Sequence, residues 1–457
     1  VAAYLYANYY SAEARAAREG VPRRELHRLT VEQHRQSLAD LIGSFRPERP
    51  FGEDRGLTVH YYKDGKMHGQ PLHRAVERDA DSVFDAEHDL FEKFDPKGHS
   101  VRYAGSLIAP ETGEYEIILR SDSAVRLWLN DAKSKGGGGG NEYAQADPAT
   151  IDGWVKSKGV EAFRKRVFLL GGRAYPLLLD FSAHEQGVQR RAQDQADRTS
   201  YVSLRWVMPG RAEQVISRRH LLPDRGEEVF VATTPFPPDD SSVGYERGVS
   251  VSPAWLDAVT GAAVETAGYV VDHFHELAGS PITGSDAARV GKPFLYRFVE
   301  RAFRRPLTEQ EKRAIVDAAF DSAPDATAAV KRVVLATLSS PRFLYPDADG
   351  SDSDHAIAAR LALALRDGLP DKALREAASR GELRDPTKLR EHAERISGHP
   401  RSRAKLHGFF HHWLELDRAE HVAKDDALFP EFDETLLTDL RTSLDLFIEH
   451  AVFGEAS

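Results

Sequence analysis

The chain has 457 residues, 41% of them hydrophobic and 29% charged, and a formal net charge of −10. That length exceeds one ordinary core, so roughly two to four domains are expected. No run approaches the ~18 apolar residues of a membrane span, the acidic total argues against nucleic acid as a partner, and the absence of cysteine excludes disulfides, thiol catalysis, cysteine-ligated zinc and covalent haem attachment within the chain.

Val1 to Tyr10 places Val1, Leu5 and Tyr9 on one face, as in a short helix packed against a neighbouring domain. Leu26, Leu29, His34, Leu38, Leu41 and Ile42 recur at helical spacing between Arg24 and Phe45. Thr30 with Gln33 offers a capping box, Gly43 a stop, and Pro47 and Pro50 a linker. Pro110-Glu111-Thr112-Gly113 then forms a turn before two period-two runs. In the first, Tyr115, Ile117 and Leu119 oppose Glu116, Ile118 and Arg120; in the second, Val125, Leu127 and Leu129 oppose Arg126, Trp128 and Asn130. Joined by Ser121-Asp122-Ser123, they read as consecutive strands of a half-buried antiparallel sheet. Gly136 to Gly140 is a loop without the Lys-Ser/Thr continuation of a phosphate-binding loop, and His184 to Asp197 reads as an exposed excursion.

Beyond Pro223 the pattern becomes helical. Ser252 caps and Pro253 opens a long helix with Trp255, Val259, Ala262, Ala263, Val270, Phe274 and Leu277 as its buried stripe. Phe294, Phe298, Val299, Ala302 and Phe303 mark the next helix, Thr308 and Glu311 form a second capping box, and Val330 to Leu338 ends before Pro341. Asp385 with Pro386, and Asp433, start later helices of a bundle whose expected core is Leu, Ala, Phe and Trp413.

The segments VRYAGSLIAPETGEY and RSDSAVRLWLND, followed by Ile151-Asp152-Gly153-Trp154, Gly171 to Leu177 and Ser203-Leu204-Arg205-Trp206, strongly resemble the protective-antigen-type β-sandwich module. The segments VAAYLYA, LHRLTVEQHRQSLADLIG, VERAFRRPLTEQE, VLATLSSPRFLY, LPDKALREAA, HHWLELD and LFPEFD resemble the large planctomycete cytochrome-associated family. The fold class is therefore multidomain α and β: a protective-antigen-type antiparallel β-sandwich inserted between helical segments and followed by an all-α helical bundle. The expected divisions are a closing cytochrome helix (1–20), a short helical domain (21–50), the β-sandwich (51–223), a linker with a long helix (224–292), a small helical domain (293–345) and the bundle (346–457). The sequence departs from the family at Ala364 to Gly368, which lacks the aromatic residue that usually precedes the Leu-Pro-Asp turn. The family also usually continues beyond this C-terminus. The resemblance implies haem c upstream of Val1, a periplasmic or extracellular location, a redox partner, and carbohydrate or a cell-surface protein as ligand. The alternative is a structural or adhesive cell-surface scaffold without redox activity.

Candidate sites are few. In carbohydrate-binding members of the β-module, adjacent aspartates hold a calcium ion that sugar hydroxyls complete. Here Asp122 is followed by Ser123, with Asn130 and Asp131 as further oxygens, and a packing role is the rival explanation. Asp347, Asp349, Asp352 and Asp354 resemble the start of a calcium loop, but Ala358 stands where an EF-hand needs glutamate. The rival is a solvated linker whose last acid caps the next helix. His407 and His411, one helical turn apart and followed by His412 and Glu415, have a spacing that can grip a transition metal, though no Glu follows the first His as in metalloproteases. The rival there is a buried hydrogen-bonded pair. His273 and His275 cannot share a helical face. No catalytic constellation is visible, so the reaction of any enzyme containing this chain stays unassigned.

Overall fold

The computed structural model describes residues 26–47, 52–67, 69–85, 98–131, 149–154, 161–183, 200–282, 287–347, 350, 352–416, 424–425 and 427–454, with Tyr4, Tyr6 and Ser11. The expected opening helix, the five-glycine run, the His184 to Asp197 excursion and Asp349 otherwise lie outside these residues.

A first helix, α1 (Val31–Gly43), starts where Thr30 Oγ1 accepts from Gln33 N–H and the Gln33 side chain reaches back to the Thr30 N–H. The chain then enters an antiparallel β-sandwich. One sheet runs in the order β2 (His73–Glu77), β1 (Leu57–Tyr62), β4 (Ser100–Ile108), β9 (Ala174–Ser182), β6 (Ala124–Leu129), β7 (Ile151–Gly153), with β12 (Leu221–Leu222) also paired to β4. The other runs β11 (Gln214–Val215), β10 (Ser200–Val207), β5 (Gly113–Ser121), β8 (Glu161–Leu169), with β3 (Asp81–Phe84) also on β10. Alternate residues from both sheets, among them Tyr103, Leu127, Leu179, Tyr115, Leu119 and Trp206, fill the space between.

The faces follow the sequence pattern, but the strand partners do not. Strands β5 and β6 lie in different sheets, so Ser121-Asp122-Ser123 crosses between sheets instead of closing a hairpin. Ser121 is fully buried at this corner and bonds to the carbonyls of Ser123 and Tyr201. Strand β4 pairs with β9 along its full length, and Arg102 opposite Asp180 forms a buried fork of 2.6 and 2.7 Å.

The sandwich begins and ends at one place. Gly56 N–H donates to Leu221 O at 3.1 Å, and Thr58 Oγ1 donates to Pro223 O at 3.0 Å. With its ends adjacent, the module interrupts a helical domain without separating its halves. Leu29, Leu38, Leu41 and Ile42 share one apolar core with Phe230, Trp255 of α2 (Pro253–Asp272), Phe274 of α3 (Phe274–Ala278), Phe298 of α4 (Ala287–Ala302) and Val333 of α5 (Ala326–Leu338). The residues assigned above to a short helical domain, a linker with its helix and a small helical domain thus share one core. Phe343 and Leu344 of α6 (Pro341–Leu344) join it.

A smaller cluster of Ala358, Ala362, Leu374, Ala377, Leu383 and Ile396 unites α7 (Asp354–Arg366), α8 (Lys372–Ser379) and α9 (Pro386–Ser397). Ser353 caps α7, while Asp354 accepts from Leu383 N–H at 2.8 Å. The last helices are α10 (Pro400–Trp413) and α11 (Glu434–Phe453), the latter capped by Asp433. Trp413 is not core: it is 59% exposed and stacks on Phe409, because α10 turns its histidine face inward.

Candidate functional site

The sandwich corner is closed by its own hydrogen bonds. Asp122 Oδ1 accepts from Tyr201 N–H at 3.0 Å and from Ser123 Oγ–H at 2.9 Å. Asn130 adopts φ 61°, its amide donates to Val229 O and accepts from Val229 N–H, both at 2.8 Å, and Asp131 O accepts from Arg225. Calcium needs about six to eight oxygens free to converge. Here the Asn130 amide is committed to the strap at 229 and Asp122 Oδ1 to Tyr201 and Ser123. Along the second acidic stretch, Arg360 sits 3.8 Å from Asp347 and 3.3 Å from Asp352, a cation supplied by the chain itself.

The two spaced histidines do come together, at the seam between sandwich and bundle. His411 Nε2 lies 2.8 Å from Asp445 Oδ1 of α11, His407 Nδ1 lies 3.8 Å from the same oxygen, and His407 Nε2 lies 3.3 Å from Glu449. One ligating atom from each of His407, His411 and Asp445 lies within 4.8 Å of the others, a spacing at which a metal ion fits. The sandwich completes the group: Arg211 reaches Asp445 Oδ2 at 2.6 Å, and Glu111 lies 3.8 Å from His411 Nδ1. Burial pushes the Asp445 carboxyl up, but the His411 hydrogen bond and the Arg211 charge outweigh it and hold it at about 2. His412 sits 3.6 Å from Glu246, and His273 stacks on Tyr269.

A larger feature lies where all the modules meet. Asp40, on α1, accepts from Arg173 of the β8–β9 turn at 2.8 Å, from Arg401 of α10 at 2.7 and 3.1 Å, and from Leu369 N–H at 2.9 Å. Burial raises its carboxyl, but Arg401, Arg173 and Arg366 together hold it well below the usual range. Two glycines permit the approach. A Cβ on Gly368 would meet Asp40 Oδ2 at 2.0 Å, and one on Gly172, which holds φ +71°, would meet the Arg401 backbone at 2.3 Å. Around this junction opens a cleft of about 1070 Å³, walled by α1, the 172–174 turn, the strap at 226–229, Arg301 of α4, and α8 and α10 with the turn at 369–371. Arginine and lysine outnumber carboxylates eight to four along its wall.

Asp445, Glu449, Asp40 and Arg401 were absent from the residues singled out in the sequence. Asp445 and Glu449 carry one readable signal, a four-residue spacing on a helix that mirrors His407 and His411. Asp40 and Arg401 carry none, being 361 positions apart.

With this geometry established, the architecture is that of a protective-antigen-type β-sandwich followed by helical domains. Residues 53–219 match the family model described as PA14 domain, residues 292–346 match protein of unknown function DUF1595, and residues 353–457 match protein of unknown function DUF1592. No curated protein matches the chain. Solved structures similar to part of it include an anti-sigma factor domain-containing protein from Clostridium clariflavum, 16% identical over 42% of this chain and 57% of that one, with a TM-score of 0.28. The epithelial adhesin 6 A domain from Candida glabrata, solved with Galβ1-3GlcNAc, is 11% identical over 47% of this chain and all of that one, at 0.28. The PA14 domain of the MpAFP antifreeze protein is 10% identical over 40% and all, at 0.25. The chain spans little more than half the length of the first of these. Among the described residues no helix is long and apolar enough to cross a membrane.

Proposed function

We propose that this chain is the recognition and assembly part of an extracytoplasmic, haem c-associated redox protein that binds carbohydrate. The observation that carries the reading is the Asp40 junction, which locks α1, the sandwich turn and the bundle around one cleft with buried charges. A sandwich fixed in this way is a wall of a shared binding place, not a tethered accessory. The carbohydrate assignment is supported by the PA14 match, since some members of that module bind carbohydrate. The redox setting is supported by the two matched domains of unknown function, of a kind often found after cytochrome c. The residues present do not fit a covalent haem, because the chain has no cysteine to attach one. The haem belongs to a separate cytochrome domain of the whole protein.

The whole gene product, co-expressed with haem-maturation machinery, is expected to stain for covalent haem and to show a reduced-minus-oxidised α-band. A colourless product replaces the redox reading with that of a structural or adhesive scaffold.

A further inference from the structure

The cleft around Asp40 is cationic in a molecule whose total charge is −10. Much of its charge is paired: Asp40 with Arg173 and Arg401, Asp371 with Arg366 and Arg395, Glu376 with Lys372 at 3.9 Å, Arg46 with Glu228 and Glu276, and Arg380 with Glu382. Arg301 remains unneutralised. Its guanidinium donates to Ser44 O and Ser44 Oγ at 2.9 Å and lies over the Phe45 ring, with no carboxylate within 4 Å among the described residues. Burial, then Arg375 and Arg297, pull it below its ordinary pKa. Arg366 Nε and Arg401 Nε are buried without an acceptor among the described residues. Burial first, then the charges of Arg401, Arg366 and Arg173, push the His399 imidazole down to about 3.

This charge has a preferred complement. Guanidinium forks match planar or tetrahedral oxyanions and bind them in pairs of hydrogen bonds. A single inorganic anion fills a small part of about 1070 Å³, whereas ligand pockets of roughly 300–1,000 Å³ enclose whole organic molecules. Val229, Ala174, Leu369 and Pro370 add apolar wall between the charges, a mixture suited to a sugar ring with its C–H faces and ionised substituents. We propose that the cleft binds an acidic oligosaccharide through carboxylate or sulfate groups, with Arg301 and Arg366 meeting the charge inside and Lys372 and Arg380 at the mouth. The ligand class rests on the carbohydrate reading above; the position and charge of the site do not.

Calorimetric titration of the chain tests this with a galacturonate oligomer, a sulfated oligomer and a neutral oligomer of equal length, and with citrate. One or both acidic oligomers are expected to bind, with an affinity that falls about tenfold from low to moderate salt. The galacturonate and sulfated arms show which oxyanion is preferred. Lys372 and Arg380 have side chains 69% and 56% exposed, so Lys372→Glu/Arg380→Glu should keep the melting temperature yet weaken binding at least about tenfold through local charge reversal. Binding of the neutral oligomer alone, untouched by this double variant, overturns the cleft assignment and leaves the carbohydrate reading standing. Citrate binding without any oligosaccharide overturns the carbohydrate reading and this ligand class with it. Absence of binding by all four probes overturns the proposal outright.

Discussion

His34 lies in an apolar seam, its ring centroid 5.0 Å from Phe236 and 5.7 Å from Phe343, and neither ring nitrogen has a hydrogen-bond partner among the described residues. Burial first, then the Arg35, Arg28 and Arg304 charges, push its pKa down to about 3. His220 and His399 are held near the same value, again by burial first. An unfolded histidine titrates near 6.5, so between about 6.5 and 3 the unfolded chain binds protons that the native chain refuses, and stability falls as pH falls. His34→Phe is expected to leave stability at pH 7.5 within about 1.5 kcal/mol. It should also remove about 1.4 kcal/mol per pH unit of acid sensitivity between roughly pH 6 and 4. Urea melts at pH 7.5, 6, 5 and 4 measure this, and an unchanged slope would mean that His34 accepts its proton without unfolding. The sequence placed His34 on a helical apolar face with Arg28 and Arg35 nearby, but Phe236, Phe343 and Arg304, which close the seam around it, come from distant segments and left no trace in the local pattern.

At the scale of elements, α11 packs with its polar face inward. Thr438, Arg441 and Asp445 are buried, while Leu440 and Phe447 are 53% and 67% exposed. The inward residues are spoken for: Thr438 Oγ1 accepts from Ala212 N–H, Arg441 donates to Gly210 O, and Asp445 holds Arg211 and His411. Leu440→Gln/Phe447→Gln should therefore change stability by no more than about 1 kcal/mol and reduce self-association. Thermal melts and light scattering report the two effects, and a large fall in melting temperature would show that these side chains are packed. Helix starts were legible because capping is local: Thr30 with Gln33, Ser252, Thr308 with Glu311, and Asp433 all cap as their spacing implies. Strand partners were not, since period-two alternation reveals which face a residue takes and says nothing about which sheet its strand joins. Trp413 misled for a related reason, because hydrophobic spacing on α10 and α11 does not reveal that ion pairs fill their inward side.

For the whole molecule, Asp40 is the residue whose loss should be felt in every module. Asp40→Ala leaves Arg173 and Arg401 buried without their carboxylate and should destabilise the chain by about 3–5 kcal/mol. Differential scanning calorimetry is expected to show the single main transition split in two as sandwich and helices uncouple; an unshifted single transition would mean that the junction adds no stability. The acidic total concealed the cleft for the same reason, because a net charge sums over the surface and a binding site does not. The β-sandwich module itself was legible from its motifs, whereas the cleft depends on Asp40, Arg173, Arg301 and Arg366, which no single stretch contains. The interrupted helical core carries a further consequence in time. Leu38, Leu41 and Ile42 emerge from the ribosome well before their partners at Phe230 and Trp255, with the whole sandwich between them. Roughly 190 residues separate Ile42 from Phe230, which at ordinary synthesis speeds is a wait of about 10 to 40 s. A lone helix of 13 residues is marginal in water, so throughout that interval α1 is an unsatisfied apolar ligand open to chaperones that hold nascent chains.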